Sequence, residues 1–231
     1  MKRTLYLFTL LFILSLTTHA QKTSIRNLKD FNKIKASGVA NIILKKGDKT
    51  SAKVTLEGNI NDEDLVTEVR NKTLYISLRK KKRASYRNID IDIELTFRQL
   101  GAIELSGAIS LKSETMIKTD DFYLEASGAG SLKLALDTQY ITCNLSGASN
   151  IRLEGNTNRL AVNLSGAGSI NAYRLTAQIV KSNSSGVGSI KINAKKELYA
   201  TVSGVGSIRY KGKPAITRFN KSGFGSIRKA K

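Results

Sequence analysis

The sequence has very few of the residues on which disulfide bonds, metal sites and many hydrolytic active sites depend. It contains one cysteine, Cys143, one histidine, His19, one proline and no tryptophan. A single cysteine cannot form a disulfide within the chain, so stability must come from burial and hydrogen bonding. Beyond residue 19 the chain has no histidine for a Ser-His-Asp triad or a His-ligated metal site. The sequence therefore predicts no metal and no cofactor.

The longest uncharged, mainly apolar run lies at the N-terminus. It follows Lys2 and Arg3, covers residues 4–18 and is followed by the small residue Ala20. This pattern is typical of a secretory signal peptide, and the run is shorter than the ~20 residues of a membrane span. We expect cleavage after Ala20 and a single domain over residues 21–231, irregular over 21–100 and regular over 101–231. The protein is then exported, to the periplasm, the cell surface or the medium, with no membrane span.

The composition is strongly basic. The formal net charge is +20, and loss of Lys2 and Arg3 with the signal peptide lowers it to +18. Residues 181–231 contain 12 Lys or Arg and one acid, Glu197. An exported basic protein meets anionic lipid headgroups, lipopolysaccharide and acidic polysaccharides. Alternatively the charge serves solubility alone, and composition leaves both possibilities open.

A six-residue motif, Ser-Gly followed by small or apolar residues, recurs along the chain. From Gly107 onward the steps between motif glycines are 21, 19, 19, 20, 18 and 19 residues. A sustained period near 20 indicates stacked structural units. The eight motif glycines are Gly38, Gly107, Gly128, Gly147, Gly166, Gly186, Gly204 and Gly223.

Each repeat alternates apolar and polar residues with the period of a β-strand. After the motif at Ser127, Leu132 and Leu134 flank Lys133, and no window shows a helical period. The sequence predicts an all-β parallel β-helix, with two or three short strands per ~20-residue turn separated by polar stretches. Two buried columns are expected. They are Leu132, Ile151, Ile170, Ile190 and Ile208, and Ile141, Leu160, Val180 and Leu198.

The motif itself predicts a corner of the solenoid. Glycine accepts bends that a β-carbon forbids, and equivalent serines could form a hydroxyl ladder between turns ~4.8 Å apart. We expect the third motif residue (Val, Ala or Phe) and the sixth (Ile or Leu) to fill the core. A phosphate-binding loop is disfavoured because no helix follows the glycines.

The first eighty residues after the signal peptide are less regular. Residues 42–44, 52–56, 73–78 and 89–97 have strand patterns, separated by turn signals. We interpret this part as irregular early turns of the same solenoid. A small antiparallel sheet packed against it is the alternative.

Together these segments resemble a known protein family. The resemblance rests on FNKIKASGVANI at residues 31–42, LYISL at 74–78, the strand at 89–97 leading to IELSG at 103–107, and the later SG-x-G-S-I copies. The chain is similar to the auto-transporter adhesin, head GIN domain, family of exported bacterial proteins. The resemblance covers most of the chain after residue 20. It implies a right-handed β-helix with an adhesive or envelope-associated role.

Carboxylates offer the few candidates for catalysis or metal binding. Glu104 and Glu125 occupy equivalent places in successive turns, close to the ~5 Å separation of a retaining glycosidase pair, and could also hold calcium. The same column continues as Asn144, Asn163, Asn183, Thr201 and Asn220. Stacked amides favour a structural role for the column.

Two further features have simpler interpretations. Asp90, Asp92 and Glu94 could bind a cation, but pairing with the basic run at residues 80–83 is preferred. Cys143 lies at a position equivalent to Val162 and is expected in the core.

The strongest regularity outside the core is basic. The residue after the motif's Ile or Leu is cationic in six of seven successive turns. Stacked like charges are unfavourable, so either the side chains splay into water or the column meets a polyanion. Sparse aromatic residues argue against a nucleic-acid platform. The candidate binding residues are Lys112, Lys133, Arg152, Lys191, Arg209 and Arg228.

The sequence therefore predicts an exported, non-enzymatic β-solenoid that binds or adheres to an anionic glycan or an envelope surface. A polysaccharide-active hydrolase or lyase on the same scaffold is the alternative.

Overall fold

The computed structural model describes residues 22–79 and 88–230 and is built almost wholly of β-strands. Fifteen strands join in one sheet, which forms a parallel β-solenoid of about seven turns. A single 3₁₀ turn, Asp62–Asp64, interrupts the described chain. The predicted signal peptide and the basic run at residues 80–83 lie outside the described residues.

The regular turns are built from strands that pair in parallel one repeat apart. Leu132 pairs with Ile151, Ile151 with Ile170 and Ile170 with Ile190. The strands of this part are β7 (Ala102–Ser113), β8 (Ile117–Ala126), β9 (Ala129–Leu145), β10 (Asn150–Leu164), β11 (Ser169–Ser184), β12 (Ser189–Val202), β13 (Ser207–Lys211), β14 (Ile216–Lys221) and β15 (Ser226–Lys229).

Both predicted core columns are confirmed. The column from Leu132 to Ile208 is buried throughout and lies in parallel register. The column from Ile141 to Leu198 is also buried, and Phe122 extends it toward the N-terminus. Because side chains alternate between the faces of a strand, this register places the intervening residues outside.

The prediction of two or three short strands per turn is wrong for the central turns. β9 is one strand of 17 residues, and it runs without a break through the polar residues Asp137 and Thr138. Pairing with both neighbouring turns continues through these residues. Neither the exposed Asp137 nor the buried Thr138, whose hydroxyl donates to that of Thr157 at 3.0 Å, ends the strand.

The N-terminal part combines the two arrangements that the sequence left open. The strands of this part are β1 (Lys22–Asn27), β2 (Lys33–Lys46), β3 (Ser51–Glu57), β4 (Leu65–Arg70), β5 (Thr73–Leu78) and β6 (Asp90–Phe97). β2 pairs in parallel with β5, β6 and β7, and so forms the first solenoid turn. β1 and β6 flank β3 in antiparallel register, and β4 pairs antiparallel with β5.

The motif glycines stack along one corner, as predicted. Gly38 is paired with Gly107, and a β-carbon on Gly128 would stand 1.9 Å from the carbonyl oxygen of Gly107. Left-handed φ values occur at Gly38 and Gly107, +102° and +103°. In the later turns the close approach of the neighbouring backbone, rather than a left-handed bend, requires glycine.

The prediction that the third motif residue fills the core is wrong. The sixth residue is buried, and strict alternation back from it turns the third residue outward at the corner. We call these third residues the corner ridge, and all of them are exposed. They are Val39, Ala108, Ala129, Ala148, Ala167, Val187, Val205 and Phe224.

The serine hydroxyls also bond differently from the predicted ladder. At the first motif position, Ser127 Oγ donates to the carbonyl oxygen of Leu105 at 3.3 Å. The hydroxyl–hydroxyl bond lies at the fifth position, where Ser131 Oγ donates to Ser110 Oγ at 3.3 Å. A backbone carbonyl oxygen thus accepts a hydrogen bond that was expected to join two serines.

Candidate basic groove

Two columns of outward side chains follow the corner on every turn, one at the fifth motif position and one at the seventh. The polar column carries hydroxyl or amide groups. It consists of Asn41, Ser110, Ser131, Asn150, Ser169, Ser189, Ser207 and Ser226. The basic column contains the predicted cations together with one amide. It consists of Lys112, Lys133, Arg152, Asn171, Lys191, Arg209 and Arg228.

A groove of about 530 Å³ runs between these columns from Asn41 to Lys191. Its floor is formed by the buried sixth residues, such as Leu132 and Ile151. Five steps between turns give it a length of about 24 Å. The groove is therefore open to an extended ligand lying along the solenoid axis.

The predicted cations are in register and mostly exposed. Lys191 and Asn171 are half-buried, and the other five are exposed. Lys112 Nζ lies 3.8 Å from Glu114 Oε1. Within residues 22–79 and 88–230, no ion-pair partner is found for Lys133, Arg152, Arg209 or Arg228. Glu154 lies two residues after Arg152 on the same face, but its ion-pair partner is Arg174 at 3.6 Å. These four cations of the middle and C-terminal turns are thus left without an ion pair in the described chain.

The acids at the N-terminal end of the groove have partners other than the predicted basic run. Lys45 Nζ and Lys53 Nζ lie 2.8 and 3.1 Å from the carboxylate oxygens of Glu94, and the hydrogen bond from Lys45 leads the lowering of the pKa of Glu94. Asn41 Nδ2 donates to Asp90 and Asp92 at 3.2 and 3.0 Å. The acids of β6 therefore lie next to the N-terminal end of the groove, where β6 pairs with β2, and the basic column lies beyond them.

Sequence reasoning missed one aromatic residue beside the basic column. Tyr173 follows Asn171 on the same face of β11, and Lys211 Nζ lies 4.7 Å from its ring centroid. Lys191 Nζ lies 6.0 Å from the same ring. Burial raises the pKa of Tyr173. The period-2 spacing from Asn171 was the signal that could have placed it here.

The carboxylate and amide column lies on the other side of the corner. Glu104 pairs with Glu125, Glu125 with Asn144 and Asn144 with Asn163. The expected rung-to-rung amide bonds are present, since Asn163 Nδ2 donates to Asn144 Oδ1 at 2.8 Å and Asn183 Nδ2 to Asn163 Oδ1 at 2.9 Å. This ladder joins successive turns.

The two glutamates of this column are engaged by neighbouring side chains. The Glu104 carboxylate contacts Lys33 Nζ and lies 3.2 Å from Lys35 Nζ. Hydrogen bonding from Lys33 is the main cause that holds the pKa of Glu104 below its usual value. Tyr123 Oη donates to Glu125 at 2.6 Å. An ionised, lysine-paired Glu104 is poorly suited to act as a general acid.

Metal and thiol chemistry find little support in the described part of the chain. Residues 22–79 and 88–230 contain no group of three or more His, Cys, Asp or Glu side chains that could hold a metal ion. Cys143 is fully buried, as predicted, and burial raises the pKa of its thiol to about 12. Its environment is that of a core residue.

The fold is a β-solenoid with a column of basic side chains along its axis. Residues 30–214 match the family model described as "Putative auto-transporter adhesin, head GIN domain". The chain belongs to this family. No match is found among curated proteins.

Solved structures share the architecture over nearly the whole chain. A "putative adhesin" from Bacteroides fragilis is 31% identical with a TM-score of 0.85, covering 91% of this chain and 97% of that one. A "putative lipid binding protein" from Parabacteroides distasonis is 23% identical, with a TM-score of 0.71 and coverage of 91% and 97%. A "putative adhesin" from Parabacteroides merdae is 20% identical, with a TM-score of 0.71 and coverage of 91% and 96%. The last two likenesses concern the fold alone.

No helix in the described residues has the length and apolar character needed to cross a bilayer.

Proposed function

We propose that this adhesin-family solenoid is exported, is not an enzyme, and binds a linear anionic polymer in its basic groove. The polymer class that fits is an acidic polysaccharide of a cell envelope or surface. The observation that carries the proposal is the stacked column of cations beside a parallel column of hydroxyl and amide groups. Four of these cations have no ion-pair partner in the described chain, namely Lys133, Arg152, Arg209 and Arg228.

Like charges on adjacent strands destabilise a sheet. Lys133 and Arg152 are directly paired across neighbouring turns, and their side chains repel each other at ~5 Å spacing unless they splay into water. A bound polyanion relieves this repulsion. Because the spacing is repeated, a polymer with regularly placed carboxylate, sulfate or phosphate groups gains one contact per turn.

The polar column supports a glycan rather than an arbitrary anion. Ser110, Ser131 and Asn150 line the groove opposite the cations and can both donate and accept hydrogen bonds. Sugar hydroxyls require partners of this kind. Tyr173 adds an aromatic ring at the edge of the basic column, although Lys211 approaches that ring.

The test is binding of heparin and polygalacturonate to the purified protein without its predicted signal peptide. Replacement of Arg152, Lys191 and Arg209 together with Gln is expected to weaken binding about tenfold at low salt, since exposed ion pairs contribute about 0.5 kcal/mol each. Binding by the unaltered protein should fall steeply with salt because exposed charges are screened over ~10 Å at 0.1 M.

The matched control removes the same charge elsewhere. Lys29, Lys118 and Lys196 are exposed and do not line the groove, and their replacement with Gln should leave most binding intact. Equal weakening in both variants would mean that net charge alone is recognised. The basic column would then be a solvated face.

The non-enzymatic part of the proposal is tested by turnover. We expect no hydrolase or lyase activity on common polysaccharides, because Glu104 is paired with lysines and Glu125 is engaged by Tyr123. Turnover that disappears in Glu104→Gln or Glu125→Gln would instead establish the alternative, a polysaccharide-active enzyme.

A further inference from the structure

The corner ridge is apolar at every one of its exposed positions. A solvated corner would be expected to carry polar residues in at least some turns, as the neighbouring polar column does. The side chains remain small in the middle turns and become large in the last three. There Val187 is 70% exposed, Val205 61% and Phe224 94%.

The same end of the molecule holds the greatest excess of positive charge. Residues 181–231 contain 12 Lys or Arg against Glu197 alone. On the strands before and after Phe224, the cations Arg218, Lys221 and Arg228 are exposed. Exposed apolar side chains of the corner ridge and exposed cations therefore occupy one end of the solenoid.

We propose that the C-terminal end of the corner ridge docks on an anionic lipid surface, with Val187, Val205 and Phe224 entering the interface. Successive side chains of the corner ridge lie ~5 Å apart along the corner. In each turn the residue of the basic column lies four residues after the residue of the corner ridge, so at most ~14 Å of chain separates them. When the ridge side chains enter the boundary between headgroups and acyl chains, the cations of the basic column lie at the level of the lipid phosphates. Amphipathic interfacial segments bind membranes by this combination of apolar area and positive charge.

Charge complementarity favours a bilayer over a second copy of the chain. Two copies joined through this end would bring Arg218, Lys221 and Arg228 of each close to those of the other, and like charges oppose such contact. An anionic lipid surface has the opposite charge. Phe224 is 94% exposed, so its transfer from water into lipid removes a large apolar area from water and lowers the free energy.

The absence of tryptophan from the chain allows a direct test. Phe224→Trp introduces a single fluorophore at the tip of the ridge. With vesicles of phosphatidylcholine and phosphatidylglycerol, its emission should shift to the blue and become sensitive to quenchers attached to the acyl chains. Phosphatidylcholine vesicles alone should give a much smaller shift.

The matched control is Ile25→Trp on β1, at the other end of the sheet. Ile25 is 73% exposed, so its replacement creates a comparable surface tryptophan. No blue shift is expected there. A similar shift at both positions, or none at Phe224→Trp, would overturn the proposal.

Affinity measurements separate this surface from the groove. Phe224→Ser should bind mixed vesicles about tenfold more weakly, because the variant has no phenylalanine side chain to transfer from water into the lipid. Ile25→Ser should bind as the unaltered protein does. Heparin binding should be unchanged in Phe224→Ser, so failure of the groove and failure of the ridge give different results. Circular dichroism checks that the fold is retained.

Sedimentation tests the alternative that a second copy of the chain covers the ridge. A dimer that Phe224→Ser dissociates, together with no binding to mixed vesicles, would make the ridge a contact between copies and refute the lipid proposal.

Discussion

Gly147 lies so close to the backbone of the preceding turn that a β-carbon on it would stand 2.0 Å from the carbonyl oxygen of Gly128. Real β-carbons essentially never come within 3.0 Å of such an atom. Gly147→Ala should therefore force the two turns apart and lower the free energy of unfolding by about 2 kcal/mol or more. Urea unfolding followed by circular dichroism measures the change.

A matched control is available at Gly101, where the nearest atom to an added β-carbon is the Asp121 carbonyl oxygen at 3.4 Å. Gly101→Ala should be neutral or slightly stabilising, since alanine restricts the unfolded chain. Equal destabilisation by both substitutions would show that the corner does not depend on close stacking of its glycines.

Ser182 has a fully buried hydroxyl for which the described structure provides no hydrogen-bond partner. It occupies the column of Val162 and Ala200, where the other side chains are apolar. An unpaired buried hydroxyl costs about 1–3 kcal/mol, so Ser182→Ala should raise the unfolding free energy by about 1 kcal/mol. Ser149→Ala should do the opposite, because Ser149 Oγ donates to the Gly128 carbonyl at 2.9 Å. A loss of stability in Ser182→Ala would mean that the hydroxyl is satisfied in solution.

Cys143 should resist thiol reagents while the protein is folded. Its side chain is fully buried, and the raised pKa of about 12 keeps it protonated at pH 8. Labelling by a chromogenic disulfide reagent should be about a hundredfold or more slower than in urea, because it requires transient opening. Ser185→Cys places a second thiol at an exposed corner position and should react at once. Rapid labelling of Cys143 itself would contradict its burial.

The ion pairs of Glu104 make a contribution to stability that depends on pH. Lys33 holds the pKa of Glu104 below its value in the unfolded chain, about 4.3. The stabilisation is therefore fully present above the unfolded pKa and is lost as the pH falls through the lowered pKa of the folded protein. Glu104→Gln should cost about 1 kcal/mol at pH 7, a difference that disappears in strong acid. Urea midpoints between acid and neutral pH test this, and a constant difference would argue against the ion pairs.

Much of the fold could be predicted because the repeat determines which residues share a column. The spacing of the motif glycines placed Leu132 above Ile151 and Glu104 beside Glu125, and the structure pairs both. The basic column followed from the same count. The prediction for the corner ridge is wrong because Val187 and Phe224 are apolar yet exposed, and apolar character alone does not establish burial. Strict alternation back from the buried sixth residue would have placed them outside.

The sequence by itself determined the period, the two core columns and the alignment of cations on one face. These features depend on spacing along the chain, because residues one repeat apart become neighbours when the turns stack. Only the tertiary structure decided that β2 joins the first solenoid turn while β1, β3 and β4 pair antiparallel. It also decided that Glu94 takes its charge partners from Lys45 and Lys53, and that Lys211 reaches Tyr173. Such contacts join residues far apart in sequence and outside the repeat, so they depend on how irregular segments pack, which no local period encodes.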